Sequence, residues 1–327
     1  MTVTGIPVEG VAGKELPPLK GQGILVNEEQ GTYKAERRGY VSYDEKAGTL
    51  NVFQIYMAEG DVNRYSGSVI FDGSVHIKGS VSDMAVIKAT GDIIVDGFVG
   101  GAVLSAGNNV MLRGGVNSAG RGSIEAGGKI MGDFFERVTL KAQKSIEGNY
   151  FLNCNVETDA KLIAKGRKAS IQGGTVTAAV SVESAVIGNP GSIRTRVIVG
   201  DLFALTQRAT QTESRIKKVL DERDKLTEGK EKLLKLYGEE AVLGNKIYQK
   251  ACLAIEVKNE EWEALKKEAE HIQKVKEQAV KANVRVTKEL HPNVVLSVNG
   301  TELETRETYK GGNFTKEKLL AMLNTKK

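Results

Sequence analysis

Residues 69–95 read VIFDGSVHIKGSVSDMAVIKATGDIIV, and this stretch decides the fold. The segment FDGSVHIKG, beginning at Phe71, is answered by ATGDIIVDG at Ala89, with turn-forming and aliphatic residues in the same places. Outward from there the pattern recurs as AGNNVMLRG at Ala106, AGGKIMGDF at Ala126, AQKSIEGNY at Ala142, TDAKLIAKG at Thr158 and AAVSVESAV at Ala178. The offsets between first residues are 18, 17, 20, 16, 16 and 20. Two residues before each start stands an aliphatic: Val69, Ile87, Leu104, Ile124, Leu140, Val156 and Val176. Four residues after each start stands another: Val75, Ile93, Val110, Ile130, Ile146, Leu162 and Val182. A third column, six after each start, holds Ile77, Val95, Leu112, Gly132, Gly148, Ala164 and Ser184, and it shrinks toward the end.

Steps of two place alternate side chains on one face of a strand. Each strand is short and bounded by Gly, Asn or Asp, which turn corners. One such turn cannot bury its own aliphatics, but stacked turns can. Seven rungs at about 4.8 Å span roughly 34 Å. The two offsets of 20 coincide with Ser118–Gly122 and Arg167–Gly173, which read as insertions bulging from one corner. An antiparallel sandwich would also alternate, yet it has no reason to repeat residue type in register. A left-handed acyltransferase helix would keep an unbroken hexapeptide count. The pattern therefore predicts a mainly β protein, a single-stranded parallel β-helix of about seven rungs over 61–200, whose irregular rung length argues against the left-handed form; its right-handedness rests also on the resemblance given below.

Glycine divides the chain: of 37 in all, 8 fall in residues 1–59, 23 in 60–200 and 6 in 201–327. Residues 1–60 read as a leading segment of short strands and turns. Residues 201–281 read as long helices forming an antiparallel coiled-coil hairpin that reverses between Gly238 and Gly244. Its first helix carries Leu202, Leu205, Ile216, Val219, Leu226, Leu233 and Leu236. Its second carries Ile247, Ala251, Ala254, Lys258, Trp262, Leu265, Ala269, Ile272, Lys276 and Ala279, in steps of three and four. Interleaved charges such as Glu213/Lys217, Asp221/Lys225 and Glu263/Lys267 mark a solvated helix surface rather than a nucleic-acid face. Two helices of about 36 residues would run about 54 Å, so the arm projects from the solenoid or overhangs it. Arm-to-arm pairing between subunits is the alternative use of the same seam. Over 282–327 the strands return, with Asn299-Gly300 as a hairpin turn and Phe314 through Leu323 as a terminal helix.

Motifs that carry chemistry are missing. Hydrophobic residues at 40% and charged residues at 27% allow a buried core, and the net charge of +5 is too mild to imply nucleic acid. Two Cys, Cys154 and Cys252, make no disulfide framework and favour a reducing compartment. No signal peptide and no long apolar run appears, so the chain as given reads as soluble. There is no P-loop, C-x-x-C, H-E-x-x-H or G-x-S-x-G. Asp72, Asp83, Asp92, Asp96 and Asp133 are spread over the rungs and read as turn-formers. Lys161, Lys165, Arg167 and Lys168 form the densest basic patch, a solvated corner or an anion site. Cys154 reads as a core or corner thiol and Trp262 as packed on the helix seam. No catalytic, cofactor-binding or metal-binding residue is assigned, and no cofactor is expected.

The runs GDVNRYSGSVIFDGSVHIKGSV, KATGDIIVDGFVGGAVLSAGNNVMLRGGV and IEAGGKI resemble the flagellar assembly protein A family of bacteria. GIPVEGVAGKELP, GYVSYDEKAGTLNVFQIYMAEGDV and the returning VRVTKELHPNVVLSVNG fit the same resemblance, which covers nearly the whole chain. It implies a right-handed β-helix with a coiled-coil hairpin and no established catalysis. It also implies a role in flagellar assembly or polar placement and binding to a sugar-phosphotransferase regulatory protein. Family members usually carry another N-terminal domain, so this chain is expected to be short of one. Pro292-Asn293 stands where the family often has Pro-Gly. The expectation is a non-enzymatic cytoplasmic scaffold with a protein partner, no nucleic acid and no membrane span, with homo-oligomers through arm or solenoid left open. Its rivals are a self-polymerising module of the bactofilin type and a carbohydrate-active β-helix enzyme.

Overall fold

The computed structural model describes residues 19–27, 31–36, 40–44, 48–53 and 55–324. The GIPVEGVAGKELP run lies outside the described residues. Two antiparallel pairs come first, Ile24–Asn27 with Thr32–Ala35 and Tyr40–Asp44 with Thr49–Phe53. From Ile55 the chain winds into a parallel β-solenoid of about eight turns, one more than the seven motif copies.

The two aliphatic columns are adjacent faces of this solenoid, in the register their spacing predicts. On the first face Leu104 pairs with Ile87 below and Ile124 above, and Leu140, Val156 and Val176 follow in line. On the second, Val75, Ile93, Val110, Ile130, Ile146, Leu162 and Val182 pair in sequence. All but Val69 are buried. Each aliphatic packs on its equivalent a rung away, so the core is one continuous cluster from Val62 to Leu319.

A third face completes each turn. It begins as single bridges joining Val62, Val81, Val99 and Val116, and widens into paired strands at Phe135, Phe151 and Ile171. This face explains why the third column shrinks. A Cβ on Gly132 would lie 2.6 Å from the Phe135 ring, and one on Gly148 would lie 2.9 Å from it. The rings of Phe135 and Phe151, stacked with centroids 5.2 Å apart, fill the volume the vanished side chains leave.

The acids predicted as turn-formers hold corners. Asn109 donates from its backbone N and its Nδ2 to Asp92 Oδ1, both at 2.9 Å, and its own Oδ1 accepts from the next rung's Lys129 N at 3.0 Å. Asp83 Oδ1 accepts from Gly101 N at 2.7 Å, and Asp72 accepts from Thr90 Oγ1 at 2.9 Å. Where third face turns into first, Arg137, Asn153 and Gly173 stack with φ of 48°, 51° and 70°. A side chain on Gly173 would start 2.0 Å from Asn153 Oδ1, so this corner needs glycine for space as well as for conformation.

The two insertions do not share a corner. Residues 118–121 form a bulge between third and first faces, where the register shifts between Asn117 and Gly122. The other insertion is the exposed turn at Gly166–Lys168, between second and third faces. Most of Arg167–Gly173 is strand, with Ile171 fully buried. An insertion at any corner lengthens the repeat equally, so spacing alone cannot say which corner bulges.

The arm is itself an enlarged corner. It leaves after Thr195–Val199 on the first face and returns at Asn283–Leu290 on the second, where Val284 pairs with Val182. Helix α1 spans Leu202–Val242 and α2 spans Lys246–Ala279. Asp201 caps α1 by accepting from Ala204 N, and Asn245 caps α2 by accepting from Ile247 N and Tyr248 N. Gly238, at φ 75°, kinks α1 rather than ending it, and the chain reverses after Val242. Leu205, Val219, Leu265, Ile272 and Ala279 are buried along the seam, whereas Leu236 and Ile247 are exposed.

Val294–Val298 adds one more parallel strand to the first face. Beyond it the chain turns back through Asn299-Gly300, both at positive φ. Thr301–Glu304 and Tyr309–Phe314 then pair antiparallel on the last rung. Helix α3, Lys316–Asn324, buries Leu319 against this end, so the C-terminal edge of the solenoid is covered.

Candidate functional site

The arm's base is fixed to the solenoid by an apolar contact and a polar one. Ala179 packs with Leu205 of α1 and with Val275 and Ala279 of α2. One rung below, Asp159 stands at the same corner with its side chain 10% exposed. Arg208 donates from Nη1 and Nη2 to its two oxygens at 2.6 and 3.2 Å, and His271 Nε2 lies 3.1 Å from Oδ2. One carboxylate therefore gathers both helices. It holds the Arg208 guanidinium charged more firmly than usual, chiefly through this hydrogen bond and against the cost of burial.

Beside this anchor the arm and the first face enclose a groove of about 510 Å³. Ser105, Glu125, Lys141 and Glu157 line it from four successive rungs, and Arg208 and Glu268 from the arm. Glu268 is set by Arg215 Nη1 at 3.4 Å. Farther out, Lys258 joins Glu222 across the hairpin at 2.7 Å, and Arg223 and Lys266 lie over Trp262. At the distal end Leu236, Leu243, Ile247 and Leu253 are 76%, 65%, 65% and 62% exposed. These apolar side chains gather at the end of an otherwise charged arm.

The basic patch read from the sequence does not hold together. Lys165 Nζ lies 2.6 Å from Glu147, whose carboxyl it keeps below the usual range through their hydrogen bond. Lys161 projects from the second face. Arg167 and Lys168 instead line a separate pocket of about 440 Å³ on the third face, where Lys288 joins them. Lys288 is about 120 residues away in sequence, and only the stacking of rungs brings it there. Asp96 pairs with His76 at 2.9 Å and Arg113 at 3.1 Å, and Asp133 accepts from Asn149 Nδ2. Cys154 is buried, its thiol donating to Phe135 O at 3.2 Å, and burial pushes its pKa up to about 11. Among the described residues, no three His, Cys, Asp or Glu side chains converge as a metal site.

A parallel β-solenoid with a helical hairpin grown from one corner defines the class of this protein. More particularly, the chain belongs to the Flagellar Assembly Protein A beta solenoid domain family, whose family model matches residues 54–319. The family points to flagellar assembly or a related function. No curated protein and no solved structure matches the chain. No described helix is long and apolar enough to cross a membrane.

Proposed function

We propose that this chain is a non-enzymatic cytoplasmic scaffold that holds protein partners during flagellar assembly or polar placement. Those partners are flagellar components or a sugar-phosphotransferase regulatory protein. The carrying observation is the arm: anchored at its base through Asp159, it presents uncovered apolar side chains at its far end. A rigid solenoid fixes where such an arm points, and the seam between its helices leaves the outer faces free for a partner. Two features weigh against the rivals. The cap of antiparallel strands and α3 covers one of the two ends that end-on polymerisation would use. The corner acids Asp72, Asp83 and Asp92 are engaged in hydrogen bonds, and in the groove beside the arm Asp159 is held by Arg208 and Glu268 by Arg215.

The test replaces Gln207–Gln278 by a short Gly/Ser linker. The solenoid buries its columns without the arm, so a soluble β protein with a cooperative melt and little helical circular dichroism is expected. Co-precipitation of flagellar components from a motile cell's extract with the whole chain, and not with the excised one, supports the scaffold. Equal recovery moves the interface to the solenoid. Glycan cleavage with no partner bound would sink the reading, and filaments in light scattering would favour the bactofilin-like module.

A further inference from the structure

The outer surface of the third face carries a row of aromatic rings that stops short of a pocket. Phe98 and Phe134 lie with centroids 6.3 Å apart, and Phe134 and Tyr150 stack at 5.4 Å with planes 5° apart. Tyr150 is held in place by donating its hydroxyl to Glu136 Oε1 at 2.9 Å. The next position along this row is Ser170, and the one after it is Val186. The small Ser170 leaves the second face of the Tyr150 ring without a neighbour of its own kind. The cavity of about 440 Å³ lies there, with Tyr150, Ser170, Gln172 and Val186 in its lining.

The charged residues that line that slot are all basic. Arg167 and Lys168 come from the inserted turn and Lys288 from the last full rung, and no carboxylate lines the pocket. None of the three cations has a side-chain ion pair or hydrogen bond among the described residues. By contrast, Lys165 and Arg121 elsewhere on the solenoid sit against carboxylates at 2.6 and 2.7 Å. At the slot itself, Gln172 Nε2 donates to Ser170 Oγ at 3.3 Å, which leaves the amide oxygen as an acceptor and the second amide hydrogen as a donor.

We propose that this pocket binds a nucleoside phosphate: the base continues the aromatic row on Tyr150, and the phosphate sits among Arg167, Lys168 and Lys288. Stacking on an aromatic side chain is tolerant of base identity because every base has a π-face. Three unpaired cations exceed what a single carboxylate needs and suit a phosphate's charge and oxygens. The donor and acceptor at Gln172 suit a heterocycle's edge, which a phenyl ring from a partner protein would leave unmet. The size is that of an ordinary small-ligand cavity. This inference is independent of the scaffold reading, because the pocket lies on the third face and the arm leaves the corner between first and second.

The experiment is calorimetric titration of the whole chain with the 5′-monophosphates of adenosine, guanosine, cytidine and uridine. Guanosine and ribose 5-phosphate serve as half-ligands. At least one nucleotide should bind, with each half at least ten-fold weaker. Arg167→Ala with Lys168→Ala, and separately Lys288→Ala, should weaken binding ten-fold or more and steepen no salt dependence. These residues are exposed, so the thermal melt should not move. Ser170→Phe should extend the row into the slot and abolish binding while the fold persists. Absence of binding by all four nucleotides at millimolar concentration overturns the proposal. So does binding that survives Ser170→Phe, or ribose 5-phosphate binding as tightly as the nucleotides. Preferential binding of an acidic aromatic peptide would assign the pocket to a protein partner and overturn it equally.

Discussion

Arg208 on the first arm helix donates both terminal nitrogens to Asp159 on the solenoid, at 2.6 and 3.2 Å, and His271 of the second helix reaches the same carboxylate. The partners are unequal: the Asp159 side chain is 10% exposed and that of Arg208 38%. Removing the arginine leaves a buried carboxylate with His271 as its remaining side-chain partner, whereas removing the aspartate frees a guanidinium that can turn to water. Arg208→Ala should therefore loosen the arm's base more than Asp159→Ala, by about 1–3 kcal/mol against about 1 kcal/mol after allowing for partial exposure. Native-state hydrogen exchange would read this as faster exchange at Leu202–Thr212. Amides of the Ile146 strand should be unchanged, and equal effects of the two variants would remove Asp159 as the anchor.

Ile146 is fully buried, with Ile130 and Leu162 as its partners on adjacent rungs. Ile146→Ala should cost about 2–5 kcal/mol through lost transfer energy and the cavity left behind. Ile146→Asp should prevent folding, since nothing in that column can pair a charge. Chemical denaturation checks both, and an unaltered melt for Ile146→Asp would place the residue outside the core.

Phe135 and the glycines facing it should be coupled. Phe135→Ala alone should cost about 3–5 kcal/mol. Gly148→Ala alone should cost about 1–3 kcal/mol, because its methyl would meet the ring. Combined, the methyl occupies space the ring has left, so the double variant should be less destabilised than the sum of the two, by about 0.5–3 kcal/mol. A double-mutant cycle in urea measures the coupling; additivity would mean the ring does not fill the vacancy at Gly148.

The buried Cys154 thiol has its pKa pushed up to about 11 from an ordinary value near 9, mainly by desolvation. In the unfolded chain it ionises earlier, so the folded state holds the extra proton between these values. This contribution is whole below pH 9 and should be lost as pH rises toward about 11. Cys154→Ala should flatten that part of the stability profile. In the native protein at pH 8, iodoacetamide should label Cys252, which is partly exposed, and spare Cys154 until the chain unfolds.

The sequence by itself determined the stacking. Val75 through Val182 recur at a spacing only parallel rungs satisfy, because each strand must present the same residue to its copy above and below. Asn299-Gly300 was legible as a turn because those residues tolerate positive φ, whereas Gly238, read as the start of the arm's reversal, only kinks α1. The third face could have been found too, from Val81, Val99, Val116, Phe135 and Phe151, about ten residues after each motif start. What only the tertiary structure decided is what meets across rungs and corners. Asp159 is 49 residues from Arg208 and 112 from His271, and the slot beside Tyr150 draws Ser170 and Lys288 from separate turns. Periodicity specifies which residues face inward because burial acts on every rung alike. It is silent on outward neighbours, whose meeting depends on corner geometry and on where an inserted helix leans back against the coil.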